Sequence, residues 1–558
     1  MLTFNPEPFE FLPALWLWVR VVASVLLFAV TSTSLISLII GGPRGPLNML
    51  KALASGIVDL VRISPGRTFA IAQLTFREAV RRKALLVFGV FAVLFMFAGW
   101  FLADADQRPD EQVKVLVSFV LTAITFLILP VALLLACWGI PEDIRRRSMH
   151  TIVTKPVRRS EIVLGRMLGY VGVNTLILLV MALVGVFWVH RQAPGSAESA
   201  LVSRVPIFGT LSFLDKEGKP KDKGINVGDI WDHRSYIEGA SPERAIYVFN
   251  GVTPDALTIL RDPKTDETTE VLRLESTFEA FRTYKGDMDR GIYVQYAYAN
   301  PDDPEKTRVV DQKAIFPIQE FDLNVYNIPR KIETYEDSGA TRTVDLFDDV
   351  VSDDGRLQVE VSALDGNQYL GMAEADLFLR TPDRPFAVGF FKAVFGIWLM
   401  TVLVVVLGVT ASTFLKGPVA TLLTFVLFVI GSPFRGFMDD LSTKYQAAAA
   451  EGAVVEGGGP IESIIRIIGH MNPTAEMPDN ALTMVVQSVD SVFLRGVWLV
   501  RYVIPDFGVY NLSEYVANGF DIGWSAGLFP AIAVTLAFLL PCVLLGYFSL
   551  RFRELETK

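Results

Sequence analysis

The sequence predicts an α-helical polytopic membrane protein of about seven transmembrane helices with an inserted extracytoplasmic β-sandwich domain. Three observations carry this. Apolar runs that reach or approach the ~20 residues needed to cross a bilayer lie near 21–41, 84–103, 115–140, 167–189, 393–415, 418–434 and 526–549. Loop charge alternates in step with them: 42–83 and 141–161 are basic, whereas 104–112, 190–385 and 435–525 are acidic. Between 190 and 385 the pattern changes to short alternating runs such as GIYVQYAY (291–298) and GRLQVEVSAL (355–364), separated by turn clusters.

Composition narrows the class further. Half of the chain is apolar (51%) yet 20% is charged, which suits a membrane protein with a water-exposed part. The net charge of −9 is concentrated, with more than half of the 60 acidic residues between 190 and 385. Such a surface excludes nucleic acid as a partner. The two cysteines, Cys137 and Cys542, sit inside apolar runs and offer no disulfide framework.

Residues 1–60 read as an N-terminal span and a cytoplasmic linker. The first ten residues carry Glu7 and Glu10 and no basic cluster, and the apolar run of 11–40 exceeds the ~7–15 residues of a signal-peptide core, so a retained span with its N-terminus outside is expected. Residues 61–189 hold a connector helix and the first transmembrane half. In RTFAIAQLTFREAVRRK (67–83), Phe69, Ala72, Phe76, Ala79 and Val80 share one helical face and Gln73, Arg77 and Arg81 the other, as in a helix lying in the membrane interface. Residues 190–385 form the β-rich domain, and 386–434 a transmembrane hairpin weakened by Gly431 and Pro433. Residues 435–525 form an extracytoplasmic loop in which 481–504 is expected to be interfacial or re-entrant, because Asp490, Arg495 and Arg501 make a full crossing costly. Residues 526–558 are the last span and a cytoplasmic tail. An odd number of crossings puts the N-terminus outside and the C-terminus in the cytoplasm.

Enzymatic motifs are absent from the sequence. No Gly-rich loop ends in Lys-Ser/Thr, and no His-Glu-x-x-His or paired-cysteine zinc spacing occurs. The four histidines, His150, His190, His233 and His470, are scattered. Asp345, Asp348, Asp349, Asp353 and Asp354 lack EF-hand spacing and read as a solvated turn in preference to a calcium site. No catalytic, cofactor-binding or metal-binding residue is expected on this chain. Few ionisable groups fall inside the spans, which argues against an ion pathway.

The most informative stretch is the basic connector PEDIRRRSMHTIVTKPVRRSEIVLGR (141–166). Pro156 disfavours helical geometry at Lys155, so a helix leaving the third span should end there. A new helix can start near Ser160, with Glu161 in its first turn against the helix dipole. The expected product is a short cytoplasmic helix over about Glu142–Thr154, between two spans.

Glu142, Thr151-Ile152, Lys155-Pro156-Val157, Arg159, Glu161 and Gly165-Arg166 resemble the coupling loop of permease subunits of type-2 ABC exporters. The helix before Ala84 is similar to that family's connector helix, and the resemblance extends over 68–189 and 386–558. It implies a six-span core to which this chain adds an N-terminal span and the 190–385 domain. It also implies that Glu142, Thr151, Lys155, Pro156, Arg159 and Glu161 contact a separately encoded ABC ATPase, where ATP is bound. Further implied are pairing with a second permease (a homodimer), a plasma-membrane location in a bacterium, and export of a bulky amphipathic, lipid-like or glycan substrate. Membrane lipids and an envelope partner for the 190–385 domain complete the expected partners. The rival reading is a non-transport protein whose spans anchor a β-domain for envelope assembly or glycan binding, since aromatic-rich strands suit sugar stacking.

Overall fold

The computed structural model describes residues 8–81, 109–145, 157–193, 201–221, 234–261, 268–282, 291–318, 323–335, 341–366, 368–451, 459–472 and 480–553, with Gly224 and scattered positions between Val87 and Leu94. The expected span at 84–103 falls largely outside them. The chain divides into a helical unit (Pro8–Gly195, Phe390–Glu514, Ile522–Lys558) and a β unit (Ser196–Gly389 with Tyr515–Asp521).

The helical unit contains α1 (Phe11–Gly41), α2 (Gly45–Val61), α3 (Pro65–Arg81), α4 (Pro109–Arg145), α5 (Arg159–Gln192), α6 (Phe386–Phe414), α7 (Gly417–Gly431), α8 (Arg435–Glu451), α9 (Pro460–Ile468), α10 (Ala481–Val503) and α11 (Phe529–Arg553). Among the described residues six helices are long and apolar enough to cross a bilayer, or up to seven if the bent pair α7–α8 is one span. The core is built where α4, α5 and α6 meet: Val120, Leu121, Ile124, Ile177, Met181 and Leu403 are fully buried. Glycines allow the close approaches. A Cβ on Gly408 of α6 would lie 2.8 Å from the Ala136 side chain, and one on Gly185 of α5 2.7 Å from Val120.

Helix α4 runs unbroken to Arg145 through Pro130 and Pro141. The separate stub expected over Glu142–Thr154 therefore does not begin at Glu142. That residue belongs to the last turn of the long helix, and 146–156 lie outside the described residues.

The first helix is specifically docked. Pro541 in α11 has no N–H, so it leaves the carbonyl of Ala537 without its helical donor. Trp18 of α1 supplies one, Nε1 to oxygen 2.9 Å. The Phe9 N–H donates to the Ser525 carbonyl at 3.3 Å, so α1 and α11 run in the same direction.

Helices α8 and α10 form an antiparallel hairpin. Arg435 donates to the carbonyls of Arg501 and Ile504, Asp439 pairs with Arg501 at 2.6 Å, and Arg495 donates to Tyr445. The Asp490 carboxylate, buried here, accepts the N–H groups of Ile461 and Glu462 at the start of α9. The chain then returns to where it left, with the Phe507 N–H on the Gly431 carbonyl at 2.7 Å. The 481–504 segment is thus one continuous helix of 23 residues, admissible as a crossing by length and composition, but paired so that it leads back to its point of departure.

The β unit is an antiparallel sheet whose path is β6-β3-β8-β1-β2-β7-β4-β5, where β1 is Val202–Leu214, β2 Arg244–Asn250, β3 Thr268–Ser276, β4 Ile292–Ala299, β5 Val309–Ile318, β6 Asn324–Pro329, β7 Arg356–Ala363 and β8 Leu377–Pro385. Where a β-sandwich was expected, the domain is antiparallel, with smaller two- and three-stranded sheets beside the main one, whose two halves are continuous through β1. Its first half pairs with β8 and its second with β2, the change falling at Gly209, where a Cβ would stand 3.1 Å from the Phe249 ring. The sheet curls until its ends meet. Phe316 of β5 stacks on Tyr326 of β6 at 5.3 Å, and the Tyr326 hydroxyl donates to Asp311 at 2.6 Å. Alternation places Leu357, Val359 and Val361 of β7 in one core with Tyr247, Phe249, Leu274, Val294 and Leu379.

Residues 515–521 complete this unit, which sequence order conceals. Arg204 and Phe520 form a parallel bridge, Asp521 N–H donates to the Arg204 carbonyl at 2.7 Å, and the Arg204 guanidinium lies 4.6 Å from the Phe520 ring. In the aspartate cluster, the Asp345 carboxylate accepts from the N–H groups of Phe347 and Asp348, and Asp349 accepts from Asp345 N–H. Those carboxylates shape a turn.

Candidate functional site

The site is built on the start of α5. Arg158 is extended (φ −84°, ψ 150°) and Arg159 opens the helix, one residue before the start expected at Ser160. Glu161 then occupies the third helical position, from which a carboxylate can reach back to the free N–H groups of the first turn. It accepts the Arg158 N–H at 3.0 Å. The reciprocal half of a capping box is missing, because an arginine side chain has no acceptor.

Glu161 is fully buried and binds outside its own helix. It accepts the Ser64 N–H at 2.9 Å, from the junction of α2 and α3, and the Arg67 guanidinium through Nε (2.9 Å) and Nη2 (2.6 Å). A buried carboxylate is tolerated only when so satisfied. The hydrogen bond to Glu161 in turn raises Arg67 above its ordinary range. One and a half turns on, Arg166 is buried between Glu78 of α3, at 2.9 Å, and Asp143 of α4. Two arginines and three carboxylates thereby tie α3, α4 and α5 together.

Packing reinforces these ties. Thr68, Ala72, Thr75 and Ala79 form a buried small-residue stripe on α3, facing Gly165 and Gly169 of α5. A Cβ on Gly169 would lie 2.5 Å from the Thr75 Cβ and 2.7 Å from the Ala72 carbonyl. The connector is a helix as expected; of the residues on its expected apolar face, Ala72 and Ala79 pack against α5 while Phe69 is 70% exposed. Small side chains win that face because only they let the two backbones approach.

The expected contact residues divide into three groups. Glu142 is nearly buried at the last turn of α4 and pairs with Arg145 at 2.8 Å. Arg159 is half-buried at the first position of α5. Thr151, Lys155 and Pro156 lie outside the described residues. Glu161, also expected to touch a partner, is fully buried, its carboxylate facing inward onto Arg67, Ser64 and Arg158. Asp59, Arg67, Glu78, Asp143 and Tyr547 were not singled out from the sequence. The available signal was a charge at the edge of an apolar run, which is where Asp143 and Arg166 stand.

Residues 69–213, from within α3 through α5 into β1, match the profile of the family described as "ABC-2 family transporter protein". A similar curated protein is "Probable ABC transporter permease protein NosY" of Pseudomonas aeruginosa, 30% identical over 165 residues. Over residues 69–213 the chain is thus similar to ABC-2 family transporter proteins. The similar stretch covers 29% of this chain and 56% of that relative, so the chain spans little more than half the length of the curated relative it matches. No solved structure matches it. The Arg67–Glu161 and Arg166–Asp143 pairs fall wholly or partly inside the matched residues, whereas α1 and α2 precede them.

Proposed function

We propose that this chain is an ABC-2 type permease, the membrane subunit of an ATP-driven exporter, coupled through 141–161 to a separately encoded ATPase that binds the ATP. The observation that carries the reading is the buried clamp of Glu161 on Arg67 and Ser64, beside the stretch that resembles a coupling loop. Force applied to that stretch would be delivered to α3 and α5 as one body, because the Glu161 carboxylate is buried and the helices are in backbone contact. Lys155 and Arg159 would meet the ATPase and Glu161 would hold the seat beneath them.

The reading places the N-terminus outside, the C-terminus in the cytoplasm and the β unit outside the cell, with two copies forming the pathway. A groove of about 700 Å³ along α4, lined by Glu111, Lys114, Ser118 and Thr122 together with Phe119 and Phe126, suits an amphipathic, lipid-like or glycan-bearing substrate. The test is reconstitution with the cognate ATPase. Replacing Lys155 and Arg159 by Glu should reduce the permease-dependent ATPase rate roughly ten-fold, and an unchanged rate would overturn the assignment.

A further inference from the structure

Helix α2 lies outside the residues that match the ABC-2 profile, yet it reaches the start of α5 and the end of α11 at once. Asp59 is the meeting point. Its carboxylate accepts the Tyr547 hydroxyl at 2.9 Å and stands 3.8 Å from the Arg158 guanidinium, and its carbonyl accepts Arg158 Nη1 at 3.2 Å. Arg551, one turn beyond Tyr547, donates to the Tyr547 oxygen at 3.1 Å and to Ser55 of α2 at 2.6 Å. Between these bonds Gly56 lets α2 press on α11, for a Cβ there would be 2.7 Å from the Phe548 ring. Five residues past Asp59, Ser64 supplies the N–H that Glu161 accepts.

We infer that Asp59 is a positioning residue for the coupling segment, linking the last turns of α11 to the residue at which that segment re-enters α5. Arg158 follows Pro156 by two positions and its own N–H is held by Glu161, so fixing its side chain fixes the direction in which the segment leaves. Asp59 does this from one side and Tyr547 holds Asp59 from the other. Movement of the segment is then felt by α11 as well as by α3 and α5. The half-exposed Arg158–Asp59 pair contributes little to stability, so its value lies in direction and not in holding the fold.

This inference rests on the coupling reading above, and the experiment separates the two. The full chain and its ATPase are co-purified, reconstituted in liposomes, and assayed for ATP hydrolysis per assembled complex. Asp59→Asn and Tyr547→Phe should each lower kcat roughly five-fold while leaving KM for ATP unchanged, since ATP binds on the other chain. Thermal stability and the yield of complex should stay at wild-type level, which a merely structural role would not allow. The double variant should be no worse than the poorer single one, and Asp59→Glu should recover part of the rate. Wild-type kcat in both single variants overturns the inference. If Asp59→Asn fails to fold, Tyr547→Phe decides alone. A wild-type chain that never binds the ATPase, or whose rate ignores Lys155→Glu and Arg159→Glu, removes the coupling reading and this inference with it.

Discussion

Trp18 donates its indole N–H to the carbonyl of Ala537, the acceptor that Pro541 leaves without a helical partner. A defect in the last helix is thus repaired by the first. Trp18→Phe should destabilise the helical unit by about 1–2 kcal/mol, the cost of an unsatisfied acceptor away from water. In a Pro541→Ala background the same change should cost much less, because residue 541 then supplies the N–H. Thermal unfolding of the four proteins in detergent provides the check, and additive effects would refute the explanation.

Glu161 gathers donors from three places, and its loss takes the acceptor from all of them. Glu161→Ala should lower stability by about 2 kcal/mol, since Arg67 is exposed enough to recover water but the Ser64 and Arg158 N–H groups are less so. Hydrogen exchange should show faster opening of the first turns of α3 and α5, with α6 unaffected.

Gly169 is where α5 meets the backbone of α3. Gly169→Val should cost about 1–3 kcal/mol through overpacking against Thr75 and Ala72, although valine is otherwise at home in a membrane helix. At Gly66, where a Cβ would meet nothing within 4 Å, no packing penalty should appear.

Tyr247, Tyr296, Tyr298 and Tyr326 in the β unit are all held above the usual phenol value of 10, in each case first by burial and for Tyr326 also by its bond to Asp311. Below pH 10 both folded and unfolded forms keep these protons, so the stability is intact. Above it the unfolded chain releases them and the folded one does not, and stability falls as pH rises. Tyrosinate absorbance should therefore include a component that appears only as the β unit unfolds.

The Arg204 guanidinium, anchored by Glu275, donates to the carbonyls of Asn518 and Gly519 and lies against the Phe520 ring, securing residues 518–521 beyond the backbone bonds of residue 204. Arg204→Ala should free that segment, raising its protease sensitivity while the sheet itself persists. Equal resistance in variant and parent would show that Phe520 on Phe378 suffices.

The spans and the β-rich insert were legible because hydrophobic length and alternation are local properties of a sequence. The start of α5 was legible for the same reason: Pro156 and Glu161 act over three to five residues. What escaped was set by contacts across the chain. The protein-facing stripe of α3 depended on Gly165 and Gly169, about a hundred residues away, so nothing local separated Ala72 and Ala79 from the exposed Phe69. The partners of Glu161 and Arg166 lay on other helices, and nothing local marks Asp59 or Asp143 as their neighbours. The continuity of the two halves of the sheet escaped too, because it turns on Gly209, a single position where one strand changes partners.

The junction at Gly431 and Phe507 has one more implication. A stretch that enters and leaves through a single doorway can be lengthened, shortened or exchanged without turning anything downstream inside out. Residues 432–506 are in that sense a cassette, open to change while the last helix keeps its heading.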